Sequence, residues 1–343
     1  MRGVIFLGDR EIEIREMPDP KPGPGEVVID IKASGLCGSD FQGGYRVPKA
    51  ERGGPHGLKV GGHEPCGVIA EVGEGVSTVK VGDRVMMHHY TGCRTCKMCR
   101  SGYTQMCIHH HETYGRTANG GHEDFLLVPD YTCVPLPDEM SFAEGAACAC
   151  GTGTAFHAVK RLGISGMDTL AVFGQGPVGL SATLFAAQMG ARVLAVDVVP
   201  ERLELARRLG ADVAIDSSKN DPVEAIRALT SGEGASATLD ATGIPQVRSN
   251  ALDSAMLWGR ACFVGEGNLT TFDISNQIIH KQLTIYGSWT FSLSGLAEVA
   301  NFVVNRRVPL KDLITHQFPL EQAAEAYRLF DSGKTGKVVL VRG

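Results

Sequence analysis

The stretch Thr169-Leu-Ala-Val-Phe-Gly174-Gln-Gly176-Pro177-Val178-Gly179 decides the fold of this chain. Its apolar half predicts a buried strand, and the residues from Val178 to Met189 predict a helix. Glycines between a strand and a helix allow a tight turn and let backbone N–H groups approach a pyrophosphate. The pattern therefore predicts a dinucleotide-binding turn, against the alternative of a glycine-rich turn without a ligand.

An acidic residue ends the next predicted strand, Arg192-Val-Leu-Ala-Val-Asp197. Asp197 lies 21 residues after Gly176, where a carboxylate can accept hydrogen bonds from an adenosine ribose. Because a carboxylate repels a 2′-phosphate, the pattern favours NAD over NADP. Arg202, one turn into the next predicted helix, is the opposing signal, since a cation there can bind that phosphate.

The sequence pattern changes near residues 150 and 285. Before residue 150, short alternating runs such as Glu26–Ile31 and Gly67–Val72 predict antiparallel strands. From 150 to 285, apolar runs alternate with helical stretches such as Pro200–Leu209, which is typical of a doubly wound parallel sheet. Helices over 296–305 and 320–331 then precede a last strand, Lys337–Val341. These changes, in a chain about two domains long, predict a β-rich part and a parallel α/β part, and the fold class is α/β.

Composition narrows the class of function. The chain has 343 residues, 43% of them hydrophobic and 21% charged, with a formal net charge of -5. Since such a surface does not attract nucleic acid or an anionic membrane, we expect a small-molecule substrate and neither of those partners. Ten cysteines without a secretion signal or a long apolar run predict a cytoplasmic protein whose thiols bind metal.

Four cysteines have the spacing of a metal site. Cys93, Cys96, Cys99 and Cys107 form C-x2-C-x2-C-x7-C within a lobe of about residues 90–110. Four thiolates fill every position around a tetrahedral Zn²⁺, so this site would be structural. A disulfide-rich knot or buried small side chains are the alternatives.

Because four thiolates leave no coordination position for a substrate, a catalytic metal would need a second site. Zinc sites with an open coordination position typically have mixed ligands. Cys37 and His63 supply a thiolate and an imidazole, with Ser39, Asp40 and Glu64 beside them in sequence. The third ligand stays open at this point, because Cys148 and Cys150 are both candidates.

Together these segments resemble the zinc-dependent medium-chain alcohol dehydrogenases. The resemblance rests on Cys37-Gly-Ser39-Asp40, Gly62-His63-Glu64, Gly82-Asp-Arg-Val85, the four-cysteine lobe, Cys150-Gly-Thr-Gly-Thr154 and the glycine-rich turn, so it covers essentially the whole chain. It implies a GroES-like β-barrel catalytic domain from residues 1–149 and 286–343, a Rossmann coenzyme domain from 150–285, and two zinc ions with NAD. It also implies that Cys150 is the third ligand of the catalytic zinc.

The resemblance implies roles for the neighbouring side chains. Ser39 would relay the substrate proton, and Asp40 would hold the imidazole of His63. Glu64 would visit the metal during ligand exchange, with an exposed structural carboxylate as the alternative. Gln42 stands where many relatives have a relay histidine, so the proton would leave through ribose hydroxyls and water or through another base such as His56.

Further coenzyme contacts are implied at a set of positions outside the glycine-rich turn: Thr154, Val264, Glu266, Ser288, Thr290 and Lys337. Lys337 would meet the pyrophosphate, unless it is an ordinary solvated surface lysine. Substrate-pocket candidates are Phe41, His89, Tyr90, Tyr114, Phe291 and Leu293. The triplet His109–His111 follows the zinc lobe and is expected to be solvated.

The implied activity is hydride transfer between NAD and a primary or secondary alcohol, with an aldehyde or ketone as the product. A polyol (sorbitol-type) or amino-alcohol (threonine-type) dehydrogenase is the first alternative, and a non-catalytic relative is the second. The resemblance also implies a homo-oligomer, either a dimer or a tetramer, in which the apolar strand Leu283–Tyr286 pairs with its copy.

Overall fold

Two sheets and one hairpin contain the strands of the computed structural model, which describes residues 1–53 and 57–342. The strands are β1 (Arg2–Gly8), β2 (Glu11–Glu16), β3 (Glu26–Gly35), β4 (Glu64–Val72), β5 (Arg84–Met87), β6 (Phe125–Pro129), β7 (Cys133–Pro135), β8 (Thr169–Phe173), β9 (Arg192–Asp197), β10 (Val213–Asp216), β11 (Ala235–Asp240), β12 (Ala255–Phe263), β13 (Thr284–Gly287), β14 (Ile314–Pro319) and β15 (Lys337–Val341). The α-helices are α1 (Gly38–Asp40), α2 (Lys97–Arg100), α3 (Phe142–Ala147), α4 (Gly153–Leu162), α5 (Pro177–Gln188), α6 (Pro200–Arg208), α7 (Pro222–Leu229), α8 (Pro245–Ser254), α9 (Leu293–Arg306) and α10 (Ala323–Asp331). Within the described ranges, three π-helical segments span Phe41–Tyr45, Cys148–Thr152 and Ile274–Ile279.

The chain divides into two compact units. The first unit comprises Met1–Gly153, Phe291–Ser332 and Lys337–Gly343, and the second comprises Thr154–Thr290 and Gly333–Gly336. The boundaries between the two units lie a few residues beyond the pattern changes expected at 150 and 285. Cys150 therefore belongs to the first unit. The expected domain boundaries themselves stay a prediction.

The second unit contains the predicted parallel sheet. Its strand order is β10-β9-β8-β11-β12-β13, and every neighbouring pair is parallel. This is the strand order of doubly wound dinucleotide-binding folds, in which ligands bind at the carboxyl ends of the strands where the order reverses. Here that switch point lies between β8 and β11, so the turn after β8 occupies the position of a coenzyme site.

Close packing explains the glycine that enters the first helix of this sheet. Strand β8 is buried from Leu170 to Phe173, and α5 begins directly after the turn with Pro177 at its first position. A Cβ at Gly179 would lie 1.7 Å from the carbonyl oxygen of Gly174, so a side chain there would force the helix away from the strand. The turn therefore needs glycine for packing as well as for any ligand.

The first unit is built on a largely antiparallel sheet. Its order is β14-β15-β3-β4-β5-β7, β6 pairs with β3, and only the β14–β15 pair is parallel. Gly35 at the end of β3 pairs with Glu64 at the start of β4. This register brings together the chain segments that carry Cys37 and His63.

The C-terminal helix α10 covers one face of the first unit. Its residues Tyr327 and Phe330 are buried in an apolar cluster with Phe6, Leu36 and Tyr45. The cluster therefore joins the helix to the segment that follows Cys37. Among the residues that the structure describes, no helix combines the length and apolar character needed to cross a bilayer.

Candidate active site

The four lobe cysteines lie around one point. Their sulfur atoms are all within 4.8 Å of one another, and the Sγ atoms of Cys93 and Cys99 are 4.0 Å apart. Tetrahedral zinc with Zn–S bonds of about 2.3 Å separates its sulfurs by about 3.8 Å. The described cysteines are all free, so the alternative of a disulfide knot is wrong for them.

Hydrogen bonds to the sulfurs show that the lobe is arranged for thiolates. The backbone N–H groups of Cys96 and His110 donate to the Sγ atoms of Cys93 and Cys107 at 3.3 and 3.4 Å. The hydroxyl of Thr95 and the amide of Cys96 hold the pKa of Cys93 at about 5. Burial raises the pKa of Cys99 to about 12, and a bound cation would reverse that shift, because metal ligands must be deprotonated. The donor set therefore fits a structural zinc ion.

A second group of ligand atoms lies at the end of the β3–β4 pair. One atom each from Cys37, His63, Glu64 and Cys150 lies within 4.8 Å of the other three. Cys150 sits in the π-helical segment Cys148–Thr152, and such segments are frequent at functional sites. Cys148 is fully buried and does not belong to the group, and burial raises its pKa far above the usual value. The geometry therefore brings Cys150, and not Cys148, to the candidate open site.

A hydrogen bond joins the two thiols of this site. A hydrogen bond with Cys150 lowers the pKa of Cys37 strongly, against the opposing effect of burial. The same bond and burial raise the pKa of Cys150 well above its usual value. A divalent cation would favour the thiolate form of both sulfurs, because metal ligands must be deprotonated. A Cys2His set with a neighbouring carboxylate fits zinc with one open position.

Ser39 and Asp40 lie on either side of the His63 ring. The Oγ atom of Ser39 is 3.2 Å from Nε2 of His63 and 3.3 Å from Sγ of Cys37, and the residue is exposed. The Nδ1 atom of His63 is 2.9 Å from a carboxylate oxygen of Asp40. Since the carboxylate accepts the Nδ1–H, Nε2 keeps its lone pair for a metal.

The charge on Asp40 is maintained although the residue is buried. Burial raises its pKa, but the His63 imidazole and the backbone N–H of Cys37 outweigh burial and bring the pKa to about 2. Its second oxygen accepts hydrogen bonds from Cys37 N at 2.9 Å and from the Tyr327 hydroxyl at 2.8 Å. The carboxylate is therefore ionised and fixed by three donors.

Glu64 and Lys337 form a buried ion pair beneath the candidate open site. Glu64 is 0% and Lys337 1% exposed, and their charged groups are in direct contact. Glu64 also accepts the N–H of Gly151 at 3.1 Å, and Lys337 donates to the carbonyl of Leu36 at 2.8 Å. Burial raises the pKa of Glu64 to about 7, although the ammonium group opposes that shift.

Two alternatives from the sequence are therefore wrong. Glu64 is not an exposed structural carboxylate, and Lys337 is not a solvated surface lysine, because each neutralises the other inside the protein. A contact of Lys337 with a coenzyme pyrophosphate stays a prediction.

Among the substrate-pocket candidates, His89 lies against His63, an expected ligand of the catalytic zinc. Its ring centroid is 4.9 Å from that of His63, and its Nδ1 is 3.2 Å from the carbonyl oxygen of Ala149. Because burial lowers the pKa of His89 well below the usual value, the ring is neutral. Nδ1 therefore carries the proton, and Nε2 is a hydrogen-bond acceptor.

Other pocket candidates are parts of packed cores. Tyr114 belongs to the apolar cluster around Val27 and Leu126, and Phe41 stacks on Phe330 with their ring centroids 5.2 Å apart. His109–His111 are exposed, as expected. His56 lies outside the described residues.

In the second unit, a cavity of about 360 Å³ opens beside the glycine-rich turn. Gly174, Gly176, Asp197 and Arg202 all line it. An added Cβ at Gly176 would meet no atom within 4 Å, so the space above this backbone is open to a ligand. The cavity therefore fits the adenosine end of a dinucleotide.

The Asp197 carboxylate is held by the backbone around this cavity. It accepts N–H groups from Gln175, Val198 and Val199 at 2.5, 2.7 and 2.9 Å. The guanidinium of Arg202 is 3.8 Å from it. The Arg202 guanidinium therefore faces the carboxylate that a ribose would meet. This carboxylate partly neutralises the positive charge of Arg202 and so weakens it as a binding group for a 2′-phosphate.

The remaining expected coenzyme residues also lie in the second unit, apart from Lys337. Thr154, Ser288 and Thr290 are buried, whereas Glu266 is exposed. The hydroxyls of Ser288 and Thr290 have no hydrogen-bond partner within the described parts of the chain. Val264 donates its N–H to the carbonyl of Asp240 at the end of β11. Their contacts with a coenzyme stay predictions.

Comparisons with known proteins identify the family. The model of an alcohol dehydrogenase GroES-like domain matches residues 23–138, and the model of a zinc-binding dehydrogenase matches 177–305. An uncharacterised zinc-type alcohol dehydrogenase-like protein of Escherichia coli (strain K12) is 38% identical over 99% of this chain and 98% of its own. The chain belongs to the zinc-dependent medium-chain dehydrogenase family.

Two further relatives of this medium-chain dehydrogenase have named activities. An L-threonine 3-dehydrogenase of Bacillus subtilis (strain 168) is 33% identical over 96% of this chain and 94% of its own. The solved structure of an alcohol dehydrogenase from Thermus sp. ATN1 matches with a TM-score of 0.91 at 29% identity, over 99% of both chains. The predicted fold class, GroES-like and Rossmann-type, is confirmed, and the protein is an NAD-dependent zinc oxidoreductase.

Sequence reasoning missed two residues near the site of this dehydrogenase. Tyr327 donates its hydroxyl to Asp40, and His122 contacts that hydroxyl at 2.7 Å. His122 follows two glycines, and Tyr327 lies in an amphipathic helix. Neither gives a signal in a single sequence, because both are ordinary core residues. Only the three-dimensional contact links them to the ligand His63.

Proposed function

We propose that this dehydrogenase catalyses the reversible oxidation of a primary or secondary alcohol to an aldehyde or ketone, with NAD⁺ as the hydride acceptor and Cys37, His63 and Cys150 as the ligands of the catalytic zinc. The observation that carries the proposal is the open Cys2His set with an exposed hydroxyl beside it. Ser39 Oγ contacts both Cys37 and His63, whereas the lobe has four thiols as its ligand set and the hydroxyl of Thr95 donates to the sulfur of Cys93 alone.

When bound, zinc lowers the pKa of an alcohol oxygen, and NAD⁺ accepts a hydride. The residues of this chain supply the remaining functions. Two thiolates neutralise the ion's double charge, which favours release of a neutral carbonyl product. Ser39 can accept the alcohol proton and pass it to solvent, because its hydroxyl is both donor and acceptor and the residue is exposed. Asp40 fixes the tautomer of His63.

We assign residues 1–149 with 286–343 to the catalytic domain and 150–285 to the coenzyme domain. Cys150 stands at this boundary and lies in the first compact unit with Cys37 and His63. Four features support the coenzyme assignment: the cavity beside Gly174 and Gly176, the close packing at Gly179, the carboxylate of Asp197, and the unpaired hydroxyls of Ser288 and Thr290. Val178 would present the first N–H group of α5 to the pyrophosphate, and Pro177, which has no N–H, would start the helix there.

A second candidate is oxidation of an amino alcohol such as L-threonine, or of a polyol. His89 favours it, because a buried neutral imidazole beside His63 offers an acceptor for a second donor group on the substrate. A simple alcohol has no ammonium or second hydroxyl to use that acceptor. The threonine dehydrogenase relative gives the same candidate.

Oligomerisation through the second unit is part of the proposal. Strand β13 is an edge strand, and several exposed apolar side chains occur in the same unit: Leu257, Trp258, Ile274, Ile279 and Ile285. Exposed apolar groups beside an unpaired strand favour pairing with a second copy. The free cysteines favour a cytoplasmic location.

The test is the initial rate of NADH formation with primary alcohols, secondary alcohols, polyols and L-threonine, with NADP⁺ in parallel and zinc content measured on the same preparation. Preference for simple alcohols supports the first candidate. Preference for threonine or polyols that His89→Phe abolishes supports the second. No turnover of any alcohol by protein that holds two zinc ions per chain would refute both.

A further inference from the structure

Behind the ligand His63, the first unit contains a chain of buried hydrogen bonds. The Oγ atom of Ser34 is 2.8 Å from Nδ1 of His122, and Nε2 of His122 is 2.7 Å from the hydroxyl of Tyr327. That hydroxyl is 2.8 Å from Asp40, which in turn contacts His63 at 2.9 Å. All five side chains are at most 6% exposed.

Each hydrogen in this chain has a defined position. An ionised carboxylate can only accept, so the Tyr327 O–H and the His63 Nδ1–H both point at Asp40. The Tyr327 oxygen then accepts from Nε2–H of His122, and the bare Nδ1 of His122 accepts from the Ser34 hydroxyl. Burial lowers the pKa of His122 to about 4, which agrees with the neutral ring that this arrangement requires.

We propose that Tyr327 and His122 are positioning residues for the catalytic zinc: they hold the Asp40 carboxylate in the orientation that aims Nε2 of His63 at the metal. Asp40 is the last residue of a three-residue helix and is followed by a π-helical segment, so its own backbone gives limited support. Tyr327 comes from the nine-residue helix α10 and holds the carboxylate through the oxygen that does not contact His63.

The glycine before His63 supports the proposal independently. Gly62 has a φ of +79°, and a Cβ there would lie 2.4 Å from Nδ1 of the His122 ring. The His122 ring therefore packs against the backbone immediately before the zinc ligand. Displacement of His122 would therefore disturb the Asp40 carboxylate that His63 contacts and also the backbone that leads into His63.

The inference rests on the proposed function, because it assumes that Cys37, His63 and Cys150 hold zinc. Its test uses the full-length enzyme loaded with zinc, and it measures the rate of zinc loss to EDTA together with kcat, KM and Tm. Cys150→Ala identifies the release phase of the catalytic ion, since that variant would retain only the lobe zinc.

In Tyr327→Phe we expect catalytic zinc to leave roughly 10- to 100-fold faster and kcat to fall by a similar factor, with KM changed much less. Tyr45→Phe is the matched control, because Tyr45 is 3% exposed and packs against Tyr327 with ring centroids 5.1 Å apart, outside the hydrogen-bond chain. A purely structural role would lower Tm in both variants and leave zinc loss unchanged.

Two variants of His122 test the chain if Tyr327→Phe folds poorly. His122→Gln keeps an N–H that can donate to Tyr327, whereas His122→Leu removes it, so zinc loss in the glutamine variant should be closer to that of the wild type. Equal zinc loss in Tyr327→Phe and Tyr45→Phe, or in the two His122 variants, would overturn the inference. A wild-type enzyme that binds only the lobe zinc would instead refute the proposed function, and with it the inference.

Discussion

At the scale of single residues, the choice between Cys148 and Cys150 defines the candidate active site. Both thiols are buried, yet only Cys150 lies among Cys37, His63 and Glu64. Cys150→Ala should remove one zinc ion per chain and lower kcat by more than about 100-fold, because losing a direct ligand costs more than losing an outer hydrogen bond. Metal analysis and steady-state kinetics check this.

Cys148→Ala is the matched control for that prediction. It removes a buried sulfur two residues away, so it should retain both zinc ions and near-normal kcat, with some loss of stability from the small cavity. Normal turnover in Cys150→Ala, or zinc loss in Cys148→Ala, would contradict the ligand assignment.

Sequence patterns predicted these residues unevenly. The resemblance led to Cys150, and the structure brings this residue to the expected group. The Glu64–Lys337 ion pair could not be predicted, because the two residues are far apart in sequence and a charged residue is normally expected at the surface. Tyr327 and His122 were missed because both are ordinary core residues whose contact joins distant parts of the sequence.

At the scale of elements, hydrophobic periodicity predicted most of the structure. The strand Lys337–Val341 has the predicted bounds, and α5 and α6 end within one residue of their predicted ends. The last helix begins at Ala323 and not at Leu320, because residues 320–322 form a 3₁₀ turn. The π-helical segments near Cys37 and at Cys150 had no signal, since their hydrogen bonding depends on tertiary packing.

The four-cysteine lobe is an element whose order depends on its metal. Cys99→Ala should remove the structural zinc and lower Tm by several degrees, because the short helix α2 and its loop have little apolar core of their own. Thermal unfolding and zinc analysis check this prediction.

Cys133→Ala is the control, since Cys133 is a buried thiol outside both groups and packs in the apolar core of the first unit. It should keep two zinc ions per chain. A Cys99→Ala protein with unchanged zinc content would contradict a structural metal at the lobe.

At the scale of the whole molecule, buried histidines make stability depend on pH. Burial lowers the pKa values of His88, His89 and His122, the last to about 4, so these groups are neutral in the folded protein. Between pH 6.5 and pH 4 the unfolded chain binds protons that the folded chain does not, and stability is therefore lost as pH falls through this window. A zinc-bound His63 does not take part.

The contribution of His122 can be measured by denaturant unfolding of wild type and His122→Gln at pH 7 and pH 4.5. One such histidine changes the free energy of unfolding by up to about 1.4 kcal/mol per pH unit, so the wild type should lose more stability than the variant over this interval. Equal losses in the two proteins would show that His122 is not a buried neutral group.

Association is also a property of the whole molecule. If copies of the chain associate through β13 as proposed, Ile285→Lys should give a smaller species in analytical ultracentrifugation, because it puts a charge on this edge strand. Leu269→Lys is the control, since Leu269 is 93% exposed in a loop of the same unit. An unchanged mass for Ile285→Lys would place any interface elsewhere.

The doubly wound parallel sheet of the second unit followed from the sequence because apolar strands alternate with helices there, whereas the strand order itself comes from the structure. The two catalytic segments of the first unit were less predictable, since their meeting depends on the register of Gly35 with Glu64. Periodicity gives the strands, but register depends on packing across the sheet.

The most direct test of the central claim is NADH formation by one preparation before zinc removal, after selective removal of the more labile zinc ion, and after Zn²⁺ is added back. If Cys37, His63 and Cys150 hold a catalytic ion, the rate of NADH formation should fall in proportion to the amount of that ion removed, while the lobe keeps its zinc. The rate should return when Zn²⁺ is added back. An unchanged rate of NADH formation by protein that retains only the lobe zinc would contradict the account.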